Sequence, residues 1–104
     1  MTINTLEKLI HKKIPLTKAM GLRVKKSSSQ QVRFLLPKKP NLNHVGTVFG
    51  GTIGAAQAVA CWGWLLNFFE SEKLHGDSLH VVLKSSQSSY LAPVKNDLVV
   101  ECVG

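Results

Sequence analysis

The sequence predicts an α+β fold in which an antiparallel sheet is laid around one long apolar helix. Three features carry that prediction. Residues 48–69 run without a single charge. Segments on either side of that run alternate apolar and polar residues at the period of a half-buried strand. Between these segments lie polar or proline-bearing breaks of turn character. With 104 residues, 44% hydrophobic and 18% charged, the chain reads as one globular domain over residues 1–104. A chain of this size buries a core with little margin, and oligomerisation is a common supplement.

The elements follow in order. Residues 5–13 place Leu6, Leu9 and Ile10 at helical spacing, with Asn4 or Thr5 as candidate N-cap, and Pro15 ends or kinks the helix. Residues 21–26 alternate Leu22 and Val24 with Arg23 and Lys25, and residues 32–36 form a second strand after a polar turn. The two make a hairpin with a longer loop. Residues 37–41, with Pro37 and Pro40, form a connecting loop. Residues 51–72 then form the long helix, apolar nearly all round and therefore expected to be enclosed. Its first turns are small (Gly50, Gly51, Gly54, Ala55, Ala56) and its last turns bulky (Trp62, Trp64, Phe68, Phe69), with Gly76 as terminator. Residues 79–91 read as a long strand, β-branched at first and serine-rich later. Ala92-Pro93 breaks it, residues 95–97 turn, and residues 98–103 are the next strand.

Thirteen Lys and Arg against six Asp and Glu give a net charge of +7. That excess suits anionic partners: the phosphates of coenzyme A, an acidic carrier protein, anionic lipid or nucleic acid. The basic residues are dispersed rather than clustered with aromatics, which argues against a nucleic-acid face. A solvated basic surface and a phosphate-contacting role for some lysines both remain open. Cys61 and Cys102 stand alone in apolar segments, in no metal-ligand spacing, and are expected to be buried reduced thiols, so no metal is expected. With no apolar signal segment after the first lysines, the expected location is cytoplasmic. The uncharged run is long enough to cross a bilayer, and Gly50-x-x-x-Gly54 is a membrane-helix packing motif. Thr52, Gln57 and Asn67 within it, and the flanking strands that need a soluble core, argue against a span.

The segment richest in chemistry is Asn43-His44-Val45-Gly46-Thr47-Val48-Phe49-Gly50-Gly51. It is a glycine-bearing loop feeding a helix. The free N–H groups and partial positive charge of a helix start suit a polarised oxygen, and glycines let a ligand carbonyl approach the backbone. In thioester hydrolysis, charge develops on that oxygen, and a preorganised N–H there is worth several kcal/mol. The alternative is that the glycines only let the helix pack beneath the sheet.

Asn-x-x-Gly-Thr-x-Phe-Gly-Gly opening a long apolar helix resembles the hotdog-fold thioesterase superfamily, in which the pattern is usually Asn-x-x-Gly-x-x-His-Gly-Gly. Phe49 in the His position, Asn43-His44 before it and Trp62-Gly63 late in the helix are similar to the YiiD C-terminal-domain type of thioesterase. Tyr90-Leu91-Ala92-Pro93-Val94 resembles the strand break of these folds. The likeness runs from about Met20 to Gly104. It implies a sheet wrapped on a central helix, subunits pairing as a homodimer or higher oligomer, and active sites at the interface. The substrate would be an acyl-CoA or an acyl-carrier protein, with no cofactor beyond the coenzyme A of the substrate.

Carried over by position, Gly50 or Gly51 would donate the N–H that polarises the thioester carbonyl, and Asn43 would hold the carbonyl or a water. The acidic residue that many relatives carry seven positions after the second glycine is replaced here by Ala58, beside Gln57. His44 is a candidate general base and equally an exposed bystander. Gln57 is a site residue or a packing polar group that needs a partner if enclosed. Thr47, Phe49, Ser85, Ser86 and Gln87 are candidate substrate-binding residues; the serine-rich stretch lines a cleft or merely faces solvent.

Hotdog domains add strands after the one at residues 98–103, so C-terminal strands are expected to be missing here, and the apolar edge this leaves belongs either to a truncated form or to an interface that a partner subunit covers. Two functions follow: a thioester hydrolase, or a module of the same fold that binds an acyl thioester without cleaving it.

Overall fold

The computed structural model describes residues 1–74 and 80–104. Helix α1 spans Ile3–Lys13 and the one-turn helix α2 spans Leu16–Ala19. Strands β1 (Arg23–Ser27) and β2 (Gln31–Leu36) follow, then a 3-10 turn at Lys39–Asn41, the long helix α3 (Gly50–Ser71) and strand β3 (Leu98–Val103). The sheet is antiparallel throughout, in the order β1-β2-β3, with Val24 opposite Phe34 and Phe34 opposite Val100.

Local chemistry sets these boundaries. Thr2, rather than Asn4 or Thr5, caps α1, its hydroxyl accepting the Thr5 N–H at 3.2 Å. Pro15 sits between α1 and α2, where its fixed φ and missing N–H suit the start of a helical turn. Gly21 has φ +71°, and a β-carbon there would come within 2.8 Å of the Pro37 ring, so only glycine lets the chain leave α2 for β1. β1 carries a bulge between Val24 and Lys26, which leaves Lys25 and Lys26 both exposed. Helix α3 ends at a left-handed Lys73 (φ 57°), with the Leu74 N–H reaching back to the Phe69 carbonyl at 2.8 Å. Gly76, the expected terminator, lies outside the described residues.

One face of the sheet meets α1 and α3. Leu22 just before β1, and Val24, Val32, Phe34, Leu36, Leu98 and Val100 on the strands, point into that layer, and Leu6, Ile10, Ala56, Val59 and Ala60 point from the helices. Gly63 in mid-helix lets Phe34 come close: a β-carbon there would stand 3.3 Å from Phe34 Cζ. Asn67, 2% exposed, is satisfied on every side: it accepts from the Met1 ammonium (2.8 Å) and donates to Ser27 Oγ and the Ser28 carbonyl (3.0 Å each).

Three expectations need correction. Residues 80–91 form no ladder; they run exposed beside α3, because β-branched residues favour an extended chain but do not supply a neighbouring strand. Helix α3 is enclosed along one face only (Thr52, Ala56, Val59, Ala60, Gly63, Asn67), while Gln57, Cys61 and Phe68 are exposed. The cysteines are not both buried: Cys61 is exposed and Cys102 half-buried, both as free thiols. Among the described residues no helix is long and apolar enough to cross a membrane.

Candidate active site

The loop before α3 is built by Asn43. Its backbone N–H donates to the Thr47 carbonyl at 2.8 Å, and its Oδ1 accepts from the N–H groups of Val45 and Thr47, each at 3.0 Å. Its Nδ2 donates to Thr47 Oγ1 at 2.7 Å. These bonds fold residues 43–47 into a tight knot, with Gly46 at φ +81° where a left-handed residue is required. The Phe49 N–H donates to the Asn41 carbonyl (2.8 Å), and the buried Asn41 side chain donates to the carbonyls of Met20 and Pro37. The tip of α3 is therefore anchored to the hairpin entry.

The Phe49 carbonyl accepts the N–H groups of Thr52 (3.0 Å) and Ile53 (3.2 Å). Gly50 and Gly51, the first two helical residues, have N–H groups that geometry leaves without intrahelical acceptors. A cleft of about 340 Å³ opens at this tip, lined by Asn43, Thr47, Gly50 and Ile53 on one side and by residues 90–94 on the other. The returning chain is tied down where the Val48 N–H donates to the Val94 carbonyl at 2.9 Å. Gly50 faces the cleft. Gly51 does not line it; the Phe49 ring, 55% exposed, lies where a Gly51 side chain would project.

Tyr90 lies across the helix start. Its hydroxyl donates to the Gly50 carbonyl at 3.1 Å, its ring covering the step left by Gly50 and its hydroxyl the step left by Gly54. The glycine spacing of a membrane-helix motif thus receives an aromatic ring. Two turns along, Ser88 Oγ donates to Gln57 Oε1 at 3.0 Å. Beyond that bond a longer groove of about 1170 Å³ runs between α1, α3 and residues 80–88. Leu9, Ile14, Val59, Trp62, Leu65 and Val81 give it apolar walls, and Ser85, Ser86, Gln87 and Ala58 also line it.

The structure brings Asn43, Thr47 and Gly50 together at the cleft, and Gln57, Ser85, Ser86 and Gln87 along the groove. His44 is exposed and lines neither cavity. Gln57 is exposed rather than enclosed, and Ser88 is its partner. Ser88 belongs to the serine-rich stretch read above as a cleft lining or a solvent face; Tyr90, which with it holds the returning chain on α3, was not among the expected site residues. His80, on the groove wall, was not either. Tyr90 was visible in the sequence only as part of the strand-break motif.

The sequence matches, over residues 3–103, the family described as "Putative thioesterase (yiiD_Cterm)". No curated protein matches. Among solved structures, a protein of unknown function from Chlorobaculum tepidum aligns with a TM-score of 0.87 at 25% identity, covering 97% of this chain and 60% of that one. A "putative thioesterase" from Shewanella oneidensis aligns with a TM-score of 0.86 at 25% identity, covering 95% of this chain and 71% of its own. A Pseudomonas aeruginosa protein of unknown function, described as a probable thioesterase, aligns with a TM-score of 0.82 at 22% identity, covering 99% and 66%. The chain thus spans between 60% and 71% of the length of these structures. By its sequence match and its α+β hotdog architecture, the chain belongs to the yiiD C-terminal family of thioesterase-like proteins.

Proposed function

We propose that this chain binds an acyl thioester, of coenzyme A or an acyl-carrier protein, and hydrolyses it at the tip of α3. The observation that carries the reading is Gly50: a helix-start residue without a side chain, facing a cleft that adjoins an apolar groove. The thioester carbonyl sits against the Gly50 N–H, which stabilises the charge developing on its oxygen. The acyl chain lies in the groove against Trp62 and Leu65. The Gln57–Ser88 pair orients the attacking water. Asn43 acts as a positioning residue, fixing the loop that aims the helix tip, since its own polar atoms are engaged within that loop. The charge of +7 favours the phosphates of coenzyme A or an acidic carrier surface. In this reading the protein is a cytoplasmic homodimer whose second copy covers the apolar side chains of residues 80–91, of which Val82 is 83% and Leu91 93% exposed.

A second reading rests on Ala58. Among the described residues no carboxylate or imidazole lines the cleft at Gly50, and Ala58 stands on the groove wall where the resemblance leads one to expect an acid. A module that holds the thioester without cleaving it fits that observation.

The test is release of free thiol from acyl-CoAs of graded chain length, by the wild type and by Gly50→Ala. A β-carbon at Gly50 meets nothing closer than Tyr90 Cε1 at 3.7 Å, so the variant folds, but its methyl group stands at the cleft. Turnover by the wild type that falls about tenfold or more in the variant supports hydrolysis at Gly50. Binding of a nonhydrolysable acyl-CoA analogue with no turnover of any substrate leaves the module reading. Neither binding nor turnover overturns both.

A further inference from the structure

Cys61 and Cys102 lie 41 residues apart in sequence, yet their sulfurs are 4.0 Å apart. Cys61 projects from the exposed side of α3 and lines the long groove. Cys102 lies in β3 opposite Val32. Both are free thiols. Two sulfurs already in contact need only a rotamer adjustment to reach the bonded separation of about 2.05 Å. The helix and strand that carry them are packed together through the core, so no large movement of the backbone is required.

We propose that Cys61 and Cys102 form a reversible disulfide that clips helix α3 to strand β3 beside the groove. The oxidant is a low-molecular-weight disulfide such as oxidised glutathione. The exposed Cys61 thiolate attacks one sulfur of oxidised glutathione, a Cys61–glutathione bond forms, and one glutathione thiolate leaves. The Cys102 thiolate then attacks Cys61 Sγ and expels the second glutathione as the protein disulfide forms. Two protein thiols are oxidised, the glutathione disulfide is reduced to two thiols, and the two protons lost by the cysteines end on the departing sulfurs. Division of labour follows from exposure: the reagent reaches Cys61, and Cys102 stands in contact with it to resolve the adduct. Burial pushes the Cys102 thiol upward, so the resolving step quickens as pH rises.

This inference is independent of the thioester reading, since it needs no substrate. The purified full chain is incubated with oxidised glutathione, and free thiols are counted after denaturation. Peptide mapping then locates any crosslink. The expected result is loss of both thiols, a single uncrosslinked chain two mass units lighter, a peptide joining Cys61 to Cys102, and a thermal midpoint raised by on the order of 10 °C. Dithiothreitol reverses all four changes. Cys102→Ala stops at the glutathione adduct on Cys61, and Cys61→Ala leaves Cys102 slow to react. The same incubation in guanidinium gives slower ring closure, because the fold no longer holds the sulfurs together. Two free thiols persisting in the folded protein, a crosslink only between chains, or equal closure rates folded and unfolded would each overturn the proposal.

Discussion

Tyr90 donates its hydroxyl proton to the carbonyl oxygen of Gly50 over 3.1 Å, its ring covering the step left by Gly50 and its hydroxyl the step left by Gly54 one turn on. A residue 40 positions downstream therefore fixes the wall of the cleft opposite the helix tip. Tyr90→Phe keeps the ring and loses the bond, at a cost of about 0.5–1 kcal/mol for so exposed a group. Tyr90→Ala loses the ring contact as well and loosens residues 80–94, which then rest on the Ser88–Gln57 bond and the Val48–Val94 tie. Limited proteolysis will cut the Ala variant within that segment faster than the wild type or the Phe variant. In the thiol-release assay the Ala variant is the slower of the two.

Asn43 ties its loop with both ends of its side chain. Asn43→Ala removes two acceptor contacts and one donor contact in a half-buried position. Urea titration will register a loss of about 1–2 kcal/mol. Asn43→Asp keeps the two accepted N–H bonds and loses only the donor, so its loss is smaller. If Asn43 acts by shaping the loop, thioester turnover follows the same order, wild type above Asp above Ala. Equal turnover in both variants would show that the loop does not aim the helix tip.

Ala58 lines the groove two turns beyond Gly50. A carboxylate introduced there acquires a route to the water that attacks the thioester. Ala58→Asp is expected to raise kcat/KM for an acyl-CoA by at least about tenfold, and Ala58→Asn to leave it unchanged. Steady-state kinetics on the two variants separate base catalysis from a mere change of polarity.

The Cys102 thiol is raised above its ordinary value, first by burial and then by the thiol of Cys61. On raising the pH, the unfolded chain loses this proton before the folded one does. The folded state then binds more protons, so stability falls as pH climbs from the ordinary thiol range towards the raised value. At neutral pH the contribution is fully present. Chemical denaturation in a reducing buffer at a series of alkaline pH values will show a shallower decline for Cys102→Ala than for the wild type.

Much of this fold is written in local periodicity. Leu22 and Val24 alternate with exposed Arg23 and Lys25, so the first strand and its buried face can be read directly. The helix read over residues 51–72 matches α3 to within a residue at each end. Apolarity does not reveal which face of a helix is covered, and so Gln57 and Cys61 came out exposed. Residues 80–91 show why β-branched composition is an incomplete signal: a ladder depends on a neighbouring backbone, which no residue encodes alone. Gly50 was legible as a helix-start glycine, because the chemistry of that position is local. The Tyr90 and Ser88 contacts were not, since each depends on where a distant segment comes to rest.

Glu7 accepts the backbone N–H of Val24 at 2.8 Å and also pairs with the Arg23 side chain. By occupying a donor on the outer rim of β1, this carboxylate blocks the approach of another strand from that direction. At Val24 the rim of β1 is thus guarded by a side chain of α1, so a strand arriving on that side would have to displace the Glu7 carboxylate before it could pair there.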